Sequence, residues 1–261
     1  MSGSAPGVGT GGAPEAPPLA AGWTAASNRA VAAVVLGYAA VAWTWREHLH
    51  PERGMDWLLA GIWTFMTLLL AWNLELRRDL RLAAIGLAGG AVIEWWGTTS
   101  ELWRYFTAER PPVWILPAWP VAALTIHRMP LLLGRAWPGL WRLGGLYWAL
   151  LPAFVLAMMR FSWGSVSVPS TWVVFTIMGA VVALGRDRHR DVAIFLAGCA
   201  LGVFLEYWGT SRRVWIYHTG QTPPVEAALA HGFASVAFAR VEELFLRGLA
   251  RGRARRAPVT A

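Results

Sequence analysis

Lysine is absent from this 261-residue chain: all 23 basic residues are arginine. A retinal Schiff base, a pyridoxal-binding lysine and a phosphate-loop lysine are therefore excluded. Cysteine occurs once, as Cys199 in an apolar run, which rules out a disulfide framework, an iron–sulfur cluster and a thiolate zinc site within one chain. Charge is scarce as well. Only 15% of residues are charged against 56% hydrophobic, with 18 tryptophans, a balance far from that of soluble domains. The chain reads as an all-α, multi-pass membrane protein. Its length holds seven or eight spans of roughly 20 residues and no separate soluble domain.

The net charge of +8 does not point to nucleic acid, because the arginines are scattered between apolar runs and form no patch interleaved with aromatics. They fit membrane topology instead. The first 22 residues have neither a basic n-region nor an apolar h-region, so they read as a disordered tail and not a signal peptide. Apolar runs bounded by charges and turn residues predict spans at Ala30–Trp45, Trp57–Leu74, Leu82–Thr98, Pro112–Ile126, Leu143–Met159, Val166–Leu184, Val192–Thr210 and Val225–Ala239. Pro117 and Pro120 are expected to kink or unwind the fourth. Glu226, His231 and Arg240 make the eighth too polar to face lipid all round. With eight spans, about sixteen arginines fall on one side and about seven on the other, placing both termini in the cytoplasm of an inner-membrane protein. Tryptophans such as Trp43, Trp57, Trp163 and Trp215 fall near span ends, as an interfacial belt.

The strongest internal signal is a duplication. A shift of 112 positions aligns Leu59–Arg128 with Thr171–Arg240 without a gap. The shared pattern is Gly-x-Ala-x-Gly-x-x-x-Glu-x-Trp-Gly-Thr from Gly86 and from Gly198, then Trp-x-Tyr-x-Thr, then Pro-Pro-Val. An offset of four helices gives the two halves the same orientation, related by an axis along the membrane normal. The expected organisation is a disordered tail over 1–27, four-helix repeats over 28–135 and 136–245, and a basic cytoplasmic tail over 246–261.

Gly86, Gly90, Gly198 and Gly202 stand four apart on one helix face, where another backbone can approach closely. Glu94 and Glu206 lie inside the outer end of apolar helices, where an ionised group needs a partner or a cavity. A carboxyl in such a setting can serve as a proton donor at neutral pH. Two of them, one from each half, could form an acid–base pair or share a proton; equally, they could only tie helices together through Thr64, Thr176, Arg104, Arg212 or Arg213. Thr98 and Thr210, four residues on, share their helix face. Gly97 and Gly209 are expected where the helix unwinds.

Trp103, Tyr105, Trp215 and Tyr217 read either as interfacial anchors or as aromatic walls for an apolar or cationic ligand. Trp119 and His231 occupy equivalent positions, so the halves diverge there, as expected if one binds and the other supports. His48 and His50, with Glu47 and Glu52, resemble a metal cluster but lie in one short loop without a counterpart; no metal is expected. His127 and His189 are expected to be solvated at the cytoplasmic boundary. No nucleotide, flavin or haem motif is present, so no organic cofactor is expected.

Glu94-x-x-Gly97-Thr98, then Trp103-x-Tyr105, then Pro117-x-Trp119, resembles membrane carotenoid-biosynthesis proteins of the hydratase type. More loosely, the pattern is similar to membrane lycopene cyclases. The likeness covers about a third of the chain. The hydratase Pro-Phe-Gly segment is missing, and Glu242-Glu243 stands at the wrong end of a helix to be the cyclase pair. The resemblance implies protonation of an isoprenoid double bond followed by water addition or ring closure. Glu94 and Glu206 are then the expected catalytic pair. Thr98, Trp103, Tyr105, Trp119, Thr210, Trp215, Tyr217 and His231 are the expected substrate contacts. A proton-coupled transporter or lipid-binding protein, and a structural subunit of a membrane complex, are the other readings.

Overall fold

A computed structural model describes residues 22–48 and 55–256. Among these residues eight α-helices and two short strands follow in chain order: α1 (Ala25–Thr44), α2 (Trp57–Ala71), α3 (Leu76–Thr99), β1 (Trp103–Tyr105), α4 (Ala118–Ala136), α5 (Tyr147–Phe161), α6 (Pro169–Ala183), α7 (Arg188–Ser211), β2 (Trp215–Tyr217) and α8 (Val225–Arg256). Four helical stretches are long and apolar enough to cross a membrane: Ala25–Thr44, Val113–Ala136, Pro138–Phe161 and Arg188–Ser211. Helices α2 and α6 are apolar but shorter. The bounds of α2, α3 and β1 recur 112 residues later as those of α6, α7 and β2.

Local chemistry sets several of these ends. Asp56 caps α2 by accepting from the N–H groups of Leu58 and Leu59, two donors that the first helical turn leaves unpaired. Asp187 does the same for α7 through the Arg190 N–H. Proline opens α6 at Pro169, where a missing N–H costs nothing.

The centre is formed by α7 packed along α8 and α3 packed along α4. At Gly198 an added Cβ would stand 2.5 Å from the Gly232 Cα, and at Gly86 it would stand 2.8 Å from the Ala123 Cβ, so these helices meet nearly backbone to backbone. By contrast α1 lies at the edge, with only 6% of its apolar stretch buried.

Several expected boundaries change. The fourth segment opens with a single tight turn at Val113–Ile115, and α4 then runs to Ala136, well past Ile126. Pro117 caps it and Pro120 sits in its first turn, where no intrahelical N–H bond is lost, so neither kinks it. The eighth helix continues past Ala239 to Arg256, so much of the expected basic tail is helical. At the other end Thr24, whose N–H donates to Ser27 Oγ at 3.1 Å, precedes α1, which therefore begins inside the expected tail. The rest of that tail, residues 1–21, lies outside the described residues, as do His50, Glu52 and the His48 side chain.

Candidate functional site

The C-terminal ends of α3 and α7 carry Glu94 and Glu206, each followed by a turn and a three-residue strand. A strand puts alternate residues on one face. Trp103 and Tyr105 therefore turn together toward α3, and Trp215 and Tyr217 toward α7. The strands pair antiparallel, with Trp103 opposite Tyr217, Arg104 opposite Ile216 and Tyr105 opposite Trp215.

The result is two carboxyl groups held by the same set of donors. Glu94 Oε2 accepts from Trp103 Nε1 at 3.1 Å and from the Tyr105 hydroxyl at 2.9 Å, and its Oε1 accepts from Trp119 Nε1 at 3.2 Å. Glu206 Oε2 accepts from Trp215 Nε1 and from the Tyr217 hydroxyl, both at 2.9 Å, while His231 Nε2 stands 3.0 Å from its Oε1. Both glutamates are buried. A carboxylate offers about four acceptor positions. Three are filled on Glu94, leaving one on Oε1; on Glu206 two are filled at Oε2, and His231 Nε2 stands at Oε1 as donor or acceptor according to its tautomer. Burial, with the neighbouring glutamate beside each phenol, holds Tyr105 and Tyr217 well above the ordinary tyrosine range, which keeps both as O–H donors at neutral pH.

The two sets interlock. Ring centroids lie 5.8 Å apart for Trp103 and Tyr217 and 5.9 Å apart for Tyr105 and Trp215. Trp119 stacks on His231 at 5.9 Å with 13° between the planes. Between them lies a cavity of about 150 Å³, walled by these rings and by Trp63, Trp96 and Phe161, and floored by alanines of α4 and α8. Trp63 and Tyr38, which also lines it, were not among the residues expected from sequence; nothing in the motif marks them.

Comparison with protein-family models, curated proteins and solved structures found no match to this chain.

All eight of Glu94, Trp103, Tyr105, Trp119, Glu206, Trp215, Tyr217 and His231 meet at this cavity. Thr98 and Thr210 do not. Their hydroxyls donate to the carbonyls of Glu94 and Glu206, each at 2.6 Å, satisfying the helix's own acceptors one turn back. The helices do not unwind at Gly97 or Gly209 either. A Cβ at Gly97 would stand 1.8 Å from the Trp103 ring, and one at Gly209 would stand 2.1 Å from the Trp215 ring, so glycine is there to admit the indole. Thr64 and Thr176 bond their own helices, and Arg212 is bound to Asp56, so none of them reaches a glutamate.

The sequence reading missed the two buried ion pairs. Arg128 donates to Asp79 at 2.7 Å, and Arg240 donates to Asp191, again one repeat interval apart. The signal was present. Arg128 and Arg240 close the ungapped alignment, and an arginine inside a span needs a carboxylate. His127 and His189 are half-buried and not fully solvated, and His189 places Nδ1 2.7 Å from the Trp141 carbonyl oxygen. Among the described residues no group of three His, Cys, Asp or Glu side chains could hold a metal ion.

Proposed function

We propose that the chain is an eight-span inner-membrane protein made of two four-helix repeats in the same orientation, and that the cavity on their axis modifies an isoprenoid lipid by acid–base chemistry. The recurrence of element bounds and the arginine asymmetry support the architecture, with both termini cytoplasmic. One observation carries the chemistry. Each buried carboxyl is oriented by three polar neighbours and borders a cavity otherwise walled by aromatic and apolar groups, and Glu94 keeps one vacant acceptor position.

A proton held at the vacant position of one glutamic acid passes to an alkene carbon. The π bond breaks, a C–H bond forms, and the neighbouring carbon becomes a cation that the surrounding ring faces stabilise. In hydration, water oxygen bonds to that carbon and releases a proton to the second carboxylate. In ring closure a second π bond attacks, and the final proton goes to the same base. Glu94 suits the donor, since Trp119 can only donate and leaves its proton directed elsewhere. Glu206 suits the acceptor, since His231 can take up a proton where tryptophan cannot. The proton returns from the second carboxyl to the first to close the cycle.

The test is mass spectrometry of lipids and pigments in a deletion strain, and in strains restored with the wild type, Glu94→Gln or Glu206→Gln. The expected result is a precursor that differs from the lost product by water or by ring isomerisation, consumed only with the wild type. Normal product with both single variants would sink the mechanism. Proton-coupled transport is the second reading, favoured by the same-orientation repeats and their equivalent ion pairs Asp79–Arg128 and Asp191–Arg240. It is selected if vesicle uptake requires the glutamates and no lipid changes covalently.

A further inference from the structure

Above the strand pair, on the side away from the cavity, lies a second pocket of about 360 Å³. Trp103 and Tyr217 line both spaces, so the two adjoin at these rings. The pocket's other walls are mostly polar: Thr98, Glu101, Arg104, Arg110 and His218, with Ile216 the one aliphatic side chain among them. Strand alternation turns Arg104 outward between the inward Trp103 and Tyr105. Arg110 pairs with Glu101 at 3.1 Å and cancels that carboxylate. Arg104 has no ion-pair partner among the described residues, which leaves the pocket with one uncompensated positive charge.

The repeat does not reproduce this set: the positions equivalent to Glu101, Arg104, Arg110 and His218 carry Arg213, Ile216, Thr222 and Phe106, so the arrangement is made once and not twice. The level matters too. In the eight-span reading Trp103 and Tyr217 follow the outer ends of α3 and α7, which puts this pocket at the level of the lipid headgroups. A cationic pocket at headgroup depth, beside an apolar cavity, has the polarity profile of an anionic amphiphile. A guanidinium presents a planar fork of donors that matches phosphate oxygens.

We infer that this pocket binds the phosphate head of a lipid whose chain occupies the cavity below, so that the substrate is an isoprenoid phosphate and not a hydrocarbon. The inference rests on the isoprenoid reading for the chain and on Arg104 for the head. Calorimetric titration of the purified full chain in detergent with farnesyl phosphate, farnesol and inorganic phosphate tests it, and needs no turnover. Farnesyl phosphate is expected to bind about tenfold tighter than farnesol. Arg104→Gln removes that preference and leaves farnesol binding unchanged; Arg104 is exposed, so the variant keeps its fold.

Equal binding of the two lipids by the wild type, or a preference that survives Arg104→Gln, would overturn the assignment. Inorganic phosphate binding as tightly as farnesyl phosphate would also overturn it, marking a free-anion site. The same titration on Glu94→Gln separates the two proposals. A head preference that persists there, in a chain whose deletion changes no lipid, supports the pocket while refuting the enzyme.

Discussion

Replacing Gly97 by alanine adds a methyl group 1.8 Å from Cη2 of Trp103, far inside van der Waals contact. The methyl cannot move, because α3 is fixed by its packing on α4. The indole must therefore shift. It is held at one edge by its N–H bond to Glu94 at 3.1 Å, and it packs perpendicular to Trp96 at 6.4 Å and tilted against Tyr217 at 5.8 Å between centroids. A ring that stays strains the core by about 1–3 kcal/mol. A ring that swings out gives up a hydrogen bond to a carboxyl, about 1.5–3 kcal/mol. Either way the loss is about 2 kcal/mol. Gly61 in α2 provides the control. Nothing lies within 4 Å of its added Cβ, so Gly61→Ala should stabilise by about 0.5–1 kcal/mol through backbone entropy. Unfolding by SDS in mixed micelles, followed by near-ultraviolet circular dichroism, reads both the stability and the indole environment. If Gly97→Ala were as stable as the wild type with an unchanged aromatic signal, the claim that glycine is required to seat Trp103 would fall.

Breaking a buried ion pair from one side leaves an unpaired charge. Asp79→Asn or Asp191→Asn is expected to cost about 3–5 kcal/mol in the same unfolding assay, and apolar replacement of both partners much less; equal losses for single and double variants would contradict the pairing. At the start of α2, Asp56 is drawn upward by burial, but hydrogen bonds from Arg212 and the Leu59 N–H outweigh this and hold its carboxyl below the ordinary range. A depressed carboxyl stabilises the fold above its unfolded pKa and loses that contribution as pH falls through its lowered folded value. Asp56→Asn should therefore flatten the acid limb of a stability–pH curve, and an unaltered limb would show that the Arg212 contact contributes nothing.

Much of the candidate site could be read in the chain because it is written twice. Two copies of Glu, Trp-x-Tyr and a downstream Trp or His single out the residues around the cavity, and α-helical and strand periods are local properties that a sequence displays. The expectations that failed concern which way a side chain turns. Thr98 shares a helix face with Glu94, yet its short hydroxyl reaches the nearer carbonyl of its own helix. Gly97 carries the composition of a helix break, but its missing side chain serves a ring arriving from six residues on. Tyr38 and Trp63 carry no motif, since they reach the cavity through the packing of peripheral helices.

The sequence by itself determined the helical, apolar character of the chain, the 112-residue interval at which its motif recurs and the identity of both glutamates, because composition and periodicity act over a few turns of chain. Tertiary structure alone decided that Trp103 and Tyr105 fold back onto Glu94, that the two strands cross-pair the halves, and that Arg128 and Arg240 reach aspartates 49 residues earlier. Those contacts join groups with no neighbouring sequence in common. They exist because a carboxyl or guanidinium buried among apolar helices is costly until a donor or acceptor meets it, and only the packed fold supplies that partner.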